Sequence, residues 1–413
     1  MSTTRWCAAG VVVMLAAGLT PMAPLRDAVT LAPFSPASGV RLVTSPAFVA
    51  LAPLNNILDA LSLLSLRQHL ALLTTVVAVY AAWRLARRRG GWLAELRAAG
   101  ILVITLLVVY ATGVLVPRPM AALAVQDPDA VIVDFHSHTS ASHDGRRGFG
   151  PEANRAWHAA AGYTAAYVTD HFVFGGAERA RAKNPPTAGG GTVVLGGVEV
   201  WNGDEHVVLL GTRPIDSTLL HGKALDMVAL YGARMAGRRN PIVIETIPGH
   251  LATLPVGGVD DRVAPVQAIE ISDAAPKGLD QIDREHGRIL RLADSAGLAV
   301  VSASDNHGWG RTAAAWSLVE IPGWRTMTPD SLDGAIEQAI DTRGRGAVRV
   351  VERTRPTLGA RSTAELAAIG PEFLWYLVAT RSWPERLAWT AWLGVLIALS
   401  LWGRHAANSG SEH

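Results

Sequence analysis

Residues 131–139 read VIVDFHSHT, a short apolar run rich in β-branched residues that leads directly into two histidines. Residues i and i+2 of an extended segment project from the same face, so His136 and His138 can bind one metal ion together. The same spacing recurs far along the chain, where the run AVVSASDNH carries Asp305 and His307 at its end. We therefore expect a metal site where strands end.

The surrounding sequence is typical of an α/β domain, because β-rich runs alternate with helix-like stretches. We predict strands at Val131–His136, Thr164–Thr169, Thr192–Val200, His206–Leu210, Pro241–Thr246, Val266–Ser272 and Leu298–Ala303. We predict helices at Pro151–Ala161, Gly222–Gly237, Leu279–Ala296 and Pro329–Thr342. About seven parallel strands with helical crossovers indicate a barrel or an open sheet, in which the carboxyl ends of the strands share one face.

Further candidate ligands follow the other predicted strands. The turn SASHDG offers His143 or Asp144, and the second strand ends in the sequence TDH at His171. Glu199 closes the third strand, where a carboxylate can bridge two metal ions about 3.5–4 Å apart. The candidate metal ligands are therefore His136, His138, Asp144, His171, Glu199, His206, His250, Asp305 and His307.

Several neighbouring residues have another predicted role or none. His158, His221 and His286 lie in helix-like or loop segments without partner ligands, so we predict no metal role for them. Asp170 is predicted to be structural, and Glu270 is predicted to orient a ligand or to form part of the wall of the site.

Three more residues near the predicted site have two interpretations each. Arg311, in the sequence HGWGRTA, is either a bidentate phosphate ligand or an ordinary surface arginine. Trp201 and Trp309 can stack on an aromatic or sugar group, although packing is the favoured role for each of them.

The ordered motifs resemble the PHP superfamily, which is named for polymerase and histidinol phosphatase domains. In this sequence they read D-x-H-x-H-T from Asp134, then S-x-D-G, T-D-H, G-x-E, a histidine, P-G-H, and finally S-D-x-H at His307. The resemblance implies an α/β fold, a distorted (β/α)7 barrel, with up to three divalent ions and metal-dependent phosphoester hydrolysis. The usual members are soluble and have no counterpart of the membrane segments described below.

Carried over residue by residue, the resemblance distributes the ligands over three ions. It implies a first ion held by His136, His138, Glu199 and Asp305, a second held by Glu199, His206 and His250, and a third held by Asp144, His171 and His307. Imidazole and carboxylate ligands suit zinc, manganese or iron. Bridged cations lower the pKa of a bound water and so supply hydroxide near neutral pH. Glu199 and Asp305 are therefore predicted to be catalytic, together with Arg311.

Four stretches without Asp, Glu, Lys or Arg approach or reach the length that crosses a bilayer, roughly 17–25 residues. They are Trp6–Leu25, Gln68–Trp83, Ala98–Pro117 and Leu387–Gly403. A cleaved signal peptide is the alternative for the first of them. We therefore predict an N-terminal membrane region at 1–117, a hydrolase domain at 118–384, and a C-terminal transmembrane helix with a short tail at 385–413.

Arginines between the second and third stretches predict the orientation in the lipid bilayer. The link RLARRRGGWLAELR contains five arginines between Arg84 and Arg97, and short loops this basic stay in the cytoplasm. The third stretch then leads outward. We expect the hydrolase domain to face the periplasm or the cell exterior.

The composition excludes several classes of protein. Of the 413 residues, 49% are hydrophobic and 17% are charged, so the chain is not wholly soluble; typical soluble domains carry about 25% charged residues. The 37 basic and 35 acidic residues give no strong signal for nucleic acid. The single Cys7 excludes a disulfide framework and a zinc ribbon.

The leading hypothesis is a membrane-tethered, metal-dependent phosphoesterase that hydrolyses a small phosphoester outside the cytoplasm. A nuclease of the same chemistry is the first alternative, and the missing basic groove disfavours it. The second alternative is a metal-binding sensor without turnover, which the complete ligand set disfavours.

Overall fold

The structure is a computed structural model. It describes residues 3–87, 91–202, 205–211, 220–221, 224–225, 241–246, 266–356 and 363–409. The described residues form two compact units. One unit comprises Met1–Pro24, Thr44–Met120 and Arg355–His413, and the other comprises Leu25–Val43 and Ala121–Thr354. The second unit therefore takes in residues 25–43, which lie far from the rest of it in sequence.

The helices and strands are numbered in chain order. The helices are α1 Thr3–Ala16, α2 Pro46–Ala50, α3 Ala52–Ser62, α4 Leu66–Arg87, α5 Trp92–Leu115, α6 Pro151–Ala161, α7 Gly175–Arg181, α8 Pro276–Ala296, α9 Pro329–Arg343, α10 Thr363–Leu366, α11 Ile369–Ala379 and α12 Trp383–Ser409. The strands are β1 Leu25–Asp27, β2 Val40–Thr44, β3 Ala121–Val125, β4 Ala130–Asp134, β5 Ala165–Val168, β6 Val193–Asn202, β7 Glu205–Leu210, β8 Leu220–His221, β9 Ala224–Leu225, β10 Ile242–Glu245, β11 Val266–Ser272, β12 Ala299–Ser302, β13 Ala315–Glu320 and β14 Val348–Arg353.

The first unit is helical, and three of its described helices are long and apolar enough to cross a membrane. These are α4, α5 and the segment Trp383–His405 of α12. The predicted span Trp6–Leu25 coincides only in part with a helix, because α1 has 14 residues and ends at Ala16, and Leu25 begins a strand; a fourth span stays a prediction. A helix of that length extends about 21 Å, which is shorter than the hydrocarbon core of about 30 Å.

The second unit is built on a curled mixed sheet. Its described strands follow the order β1-β14-β13-β4-β5-β6-β7-β10-β11-β12, with β8 and β9 attached beside β6. The seven strands predicted from sequence coincide with β4, β5, β6, β7, β10, β11 and β12 to within two residues at each end. The helix predicted at Gly222–Gly237 is wrong at Ala224–Leu225, which form β9, and the rest of it lies outside the described residues.

The strand directions correct the prediction of seven parallel strands. The neighbours β4, β5 and β6 are parallel, as are β10, β11 and β12, but β7 is antiparallel to both β6 and β10. Two residues separate β6 from β7, and a parallel connection needs a dozen or more. In addition β13, β14 and β1 extend the sheet antiparallel beyond β4.

Side chains along β4 alternate between the hydrophobic core on one face and the candidate ligands on the other. Val131, Val133 and Phe135 belong to the main hydrophobic core, to which α8 and α9 also contribute. Successive side chains of a strand point to opposite faces, so Asp134 and His136 project to the other side. Backbone hydrogen bonds then join the segments that follow β4 and β12, because Asp305 N donates to His136 O at 3.0 Å.

One buried acid in the core of this unit predicts a pH dependence of stability. Tyr167 Oη donates to Asp333 Oδ1 at 2.7 Å, while Asp333 Oδ2 has no hydrogen-bond partner among the described residues. Burial raises the pKa of Asp333 to about 8, and the charge of Glu337 adds to the effect. The neutral acid is therefore the form that the fold favours.

We expect the Asp333→Asn variant to resist alkaline pH better than the native protein. The unfolded chain loses the Asp333 proton near pH 3.9, whereas the folded chain holds it to about pH 8. Stability from this group is therefore full below about pH 4 and is lost as the pH rises to about 8, at up to about 1.4 kcal/mol per pH unit. Melting temperatures of the full chain in detergent at several pH values would measure this. The exposed Asp341→Asn is the control, and an unchanged pH dependence in Asp333→Asn would contradict the assignment.

Candidate metal centre

Two histidines after β4, Glu199 of β6 and one aspartate after β12 form the first group of donors. His136 Nε2 and His138 Nε2 lie 3.0 Å apart. Glu199 Oε2 is 3.1 Å from the first of these nitrogens and 3.2 Å from the second. Asp305 Oδ1 is 3.6 Å and 3.2 Å from the same two atoms. Four predicted ligands thus converge on one point.

The second group shares Glu199 with the first. Its other oxygen, Oε1, lies 2.7 Å from His206 Nδ1, and His171 Nδ1 lies 3.2 Å from Oε2. Phe172 N donates to Glu199 O at 3.0 Å, which holds the segment after β5 beside β6. His250, predicted to belong to this group, lies outside the described residues.

The third group forms around Asp144. Its Oδ2 lies 3.3 Å from His171 Nε2 and 3.1 Å from His307 Nε2, and Ser142 Oγ donates to Oδ1 at 2.7 Å. Its neighbour His143 has a side chain that is 73% exposed and lies 4.0 Å from the Asp144 carboxylate. Of the two alternatives in this turn, Asp144 is the residue in contact with two other candidate ligands.

These distances fit bound metal ions. Ligands about 2.0–2.1 Å from a tetrahedral ion lie roughly 3.3–3.4 Å from one another, close to the separations within the three groups. Donor atoms of four sets, each with three residues, come within 4.8 Å of one another among the described residues. His206 Nε2 is a buried atom without a hydrogen-bond partner among the described residues, and His307 Nε2 lies 3.1 Å from Asp144 Oδ2 without the geometry of a hydrogen bond. An ion would satisfy such nitrogens, so the residues present fit metal binding.

The buried ionisable groups of the centre shift one another's pKa values. Burial lowers the pKa of His171 to about 4. Burial also disfavours the charged forms of His136 and His138, but their carboxylate partners outweigh it and raise the pKa of His138 to about 9. For Glu199, burial is likewise outweighed by the charge of His136, and its pKa lies well below the usual range. Neutral imidazole and carboxylate are the states that bind metal.

A second layer of buried groups orients the ligands. Glu270 Oε1, at the end of β11, lies 2.9 Å from His136 Nδ1, the carboxylate–histidine arrangement that fixes a metal-binding ring. This geometry matches the orienting role among the two roles predicted for Glu270. Asp170 accepts hydrogen bonds from Thr139 N and Thr139 Oγ1 at 2.5 and 2.7 Å, and it thereby ties the loop after β4 to the loop after β5.

Sequence reasoning missed the partner of Asp134. His158, on α6, lies with its Nε2 2.7 Å from Asp134 Oδ2, and both residues are buried. Ser304 N donates to Asp134 Oδ1 at 2.9 Å, which fixes the approach to Asp305. Through this contact with Asp134, His158 supports the centre without being one of the predicted ligands. The one signal in the sequence is that Asp134 opens the first histidine motif.

The remaining predicted residues lie as follows. Arg311 is half-buried in the loop between β12 and β13. His286, on α8, donates through Nε2 to Ala28 O at 2.7 Å, away from the described ligands. His221 falls in β8, and its side chain lies outside the described residues. Trp201 and Trp309 are exposed by 38% and 50%.

Among the comparisons with known proteins, only the solved structures include proteins similar to this chain. No protein-family model matches the chain, and neither does any curated protein. A crystal structure of PsfC from Pseudomonas syringae PB-5123 is 16% identical with a TM-score of 0.36, over 60% of this chain and 98% of that one.

Two further structures are similar to this chain at the same identity. A two-domain protein containing a predicted PHP-like metal-dependent phosphoesterase, from Bacteroides vulgatus ATCC 8482, is 16% identical with a TM-score of 0.33, over 52% of this chain and 63% of that one. The lesion-specific endonuclease PfuEndoQ from Pyrococcus furiosus is 16% identical with a TM-score of 0.33, over 54% of this chain and 57% of that one. The chain therefore spans less than two thirds of the length of these two proteins.

Proposed function

We propose that this protein is a membrane-tethered, metal-dependent hydrolase of a small phosphoester. The observation that carries the proposal is the position of Glu199, whose two oxygens lie within 3.2 Å of His136, His138, His171 and His206. A buried carboxylate between two groups of imidazoles is what a site for two neighbouring cations requires. When bound, two or three cations such as zinc, manganese or iron would supply Lewis acidity and an acidified water.

The residues of the chain would divide the remaining work. His136, His138 and Asp305 would hold one cation, and His206 with the predicted ligand His250 would hold a second, with Glu199 as a ligand shared by both. Asp144, His171 and His307 would hold a third. Glu270 and the Asp134–His158 pair keep these ligands in place. Arg311 would bind a phosphate oxygen through its guanidinium.

Metal analysis combined with a phosphoester screen tests the proposal. The full chain, purified in detergent and dialysed, should retain or take up at least two divalent ions per molecule. It should then hydrolyse small phosphomonoesters with added manganese, zinc or iron. Faster cleavage of oligonucleotides than of small esters would favour the nuclease. Bound ions without any hydrolysis would favour a sensor.

We also propose that the β-rich unit lies outside the cytoplasm. The basis is the arginine-rich link between α4 and α5, which should remain inside. A single cysteine at the exposed Glu320, in a chain with Cys7→Ser, should react with a membrane-impermeant maleimide in intact cells whose outer envelope is permeabilised. A cysteine at Trp92, at the start of α5, should react only after the cells have been lysed. The reverse pattern would overturn the orientation.

A further inference from the structure

Exposed apolar side chains of the β-rich unit gather beside the candidate ligands. Among the described residues of this unit, the large apolar side chains that are exposed are Leu31, Val173, Trp201 and Trp309. Three of these four follow a candidate ligand by two residues: Val173 follows His171, Trp201 follows Glu199, and Trp309 follows His307. Apolar surface left in water beside polar groups is a mark of a binding site.

Trp201 belongs to an aromatic wall on the His206 side of the centre. It lies on the same face of β6 as Glu199, and it pairs in register with His206 across the hairpin. The indole and the His206 ring are 4.0 Å apart between centroids at an angle of 67°. Phe172 stacks on the indole at 6.3 Å and 23°. The wall is therefore continuous with the ligands.

Phe172, which packs on Trp201, has an unusual backbone conformation. Its φ is +59°, a left-handed conformation that bulky side chains rarely adopt. The hydrogen bond from Phe172 N to Glu199 O holds it there. In this conformation the Phe172 ring stacks on Trp201.

Trp309 borders the centre from the His307 side. The Arg146 guanidinium lies 5.4 Å from the centroid of its ring, which is cation–π distance. Arg146 N donates to His307 O at 2.9 Å, and Arg146 Nη1 donates to Gly308 O at 3.3 Å. The half-exposed indole is thus held beside a ligand with a cation against it.

We infer that the substrate carries a planar aromatic group on its alcohol portion, which packs on Trp309 and Trp201 while the phosphate occupies the metal centre. The inference rests on the proposed phosphoester hydrolysis and names its substrate class. Both indoles are partly exposed, by 38% and 50%, and offset stacking of rings adds to the burial of apolar area. An aliphatic chain would gain binding energy from apolar burial but not from stacking. A polar alcohol would gain binding energy from neither of these contributions.

Three phosphomonoesters test the inference: 2-naphthylethyl phosphate, octyl phosphate and glycerol phosphate. All three release a primary alcohol, so differences in kcat/KM report binding of the alcohol portion more than leaving-group chemistry. We expect the metal-loaded full chain to prefer the naphthyl ester to both others by about tenfold or more. Trp309→Ser should remove most of this preference through KM, and Trp309→Phe should restore much of it.

Controls separate stacking from damage to the centre. Trp309→Ser should lower kcat/KM for the naphthyl ester several times more than for glycerol phosphate, and Leu31→Ser, at an exposed apolar site that follows no candidate ligand, should change none of the three. Trp201→Ser should act like Trp309→Ser, although its contact with His206 makes it the less clean variant. A preference for octyl phosphate, or an equal loss on all esters in Trp309→Ser, would overturn the inference.

A binding measurement keeps this inference distinct from the proposed function. If the chain hydrolyses none of the three esters, the result counts against the proposed hydrolase function. Titration of the metal-loaded chain with the naphthylethyl and octyl phosphonates, which cannot be hydrolysed, would still test the aromatic subsite. Tighter binding of the naphthyl compound, lost in Trp309→Ser, supports the inference, and equal binding of the two rejects it.

Discussion

Glu199→Gln is expected to lower phosphoester hydrolysis by about a thousandfold or more, with loss of bound metal. The substitution removes the charge of the carboxylate that lies within 3.2 Å of His136, His138, His171 and His206. An amide nitrogen cannot ligate a cation, so the two groups of donors would no longer share a ligand. The backbone of β6 is unaffected, and we expect the fold to persist.

Metal content per molecule, steady-state kinetics and circular dichroism together measure this result. Glu320→Gln is the matched control, because that carboxylate is exposed at the far end of β13. It should keep both metal and activity. A Glu199→Gln protein with native turnover would refute a shared-carboxylate centre.

The second large effect is a difference between the kinetic consequences of losing Asp305 and of losing His307. Asp305 Oδ1 lies 3.2 Å from His138 Nε2, within the group that Glu199 joins to the next. His307 Nε2 faces Asp144 instead. We expect loss of the Asp305 carboxylate to lower kcat by about a hundredfold or more, and loss of His307 to remove one ion and raise KM as well.

The backbone decides which Asp305 variant is informative. Its φ is +45°, a left-handed conformation that Asn tolerates better than Ala. Asp305→Asn therefore removes the charge with less strain, and Asp305→Ala serves as a second variant. His307→Ala is compared with His286→Ala, whose ring contacts Ala28 O on another part of the unit. A larger loss of kcat in His307→Ala than in Asp305→Asn would reverse the assignment of the two residues.

Local patterns accounted for the elements that carry the centre. Helix α6 runs from Pro151 to Ala161 as predicted, because Pro favours the first helical turn and Gly162, at φ +88°, ends the helix. The apolar runs that predicted seven strands are buried in the sheet. The i, i+2 spacing likewise places His136 beside His138 without reference to any distant residue.

Other features depended on contacts that no local pattern encodes. Strand β1 pairs with β14, more than 300 residues away in sequence, as Leu25 with Arg353. That pairing incorporates residue 25 into the sheet, where the apolar pattern had predicted the end of a membrane span. The antiparallel direction of β7 follows from its hairpin with β6 and was missed because apolar runs carry no strand direction.

The sequence by itself determined the α/β class, the positions of the main strands, the apolar helices and the set of candidate ligands. All of these follow from hydrophobic periodicity and from the spacing of residues on one strand, which are properties of neighbouring residues. Only the tertiary structure decided that the Asp144 carboxylate lies beside both His171 and His307, and that Asp134 pairs with His158. The physical reason is that such contacts depend on which loops the curled sheet brings together and which polar groups it buries. A buried carboxylate or imidazole needs a partner, and the fold supplies that partner from remote parts of the chain.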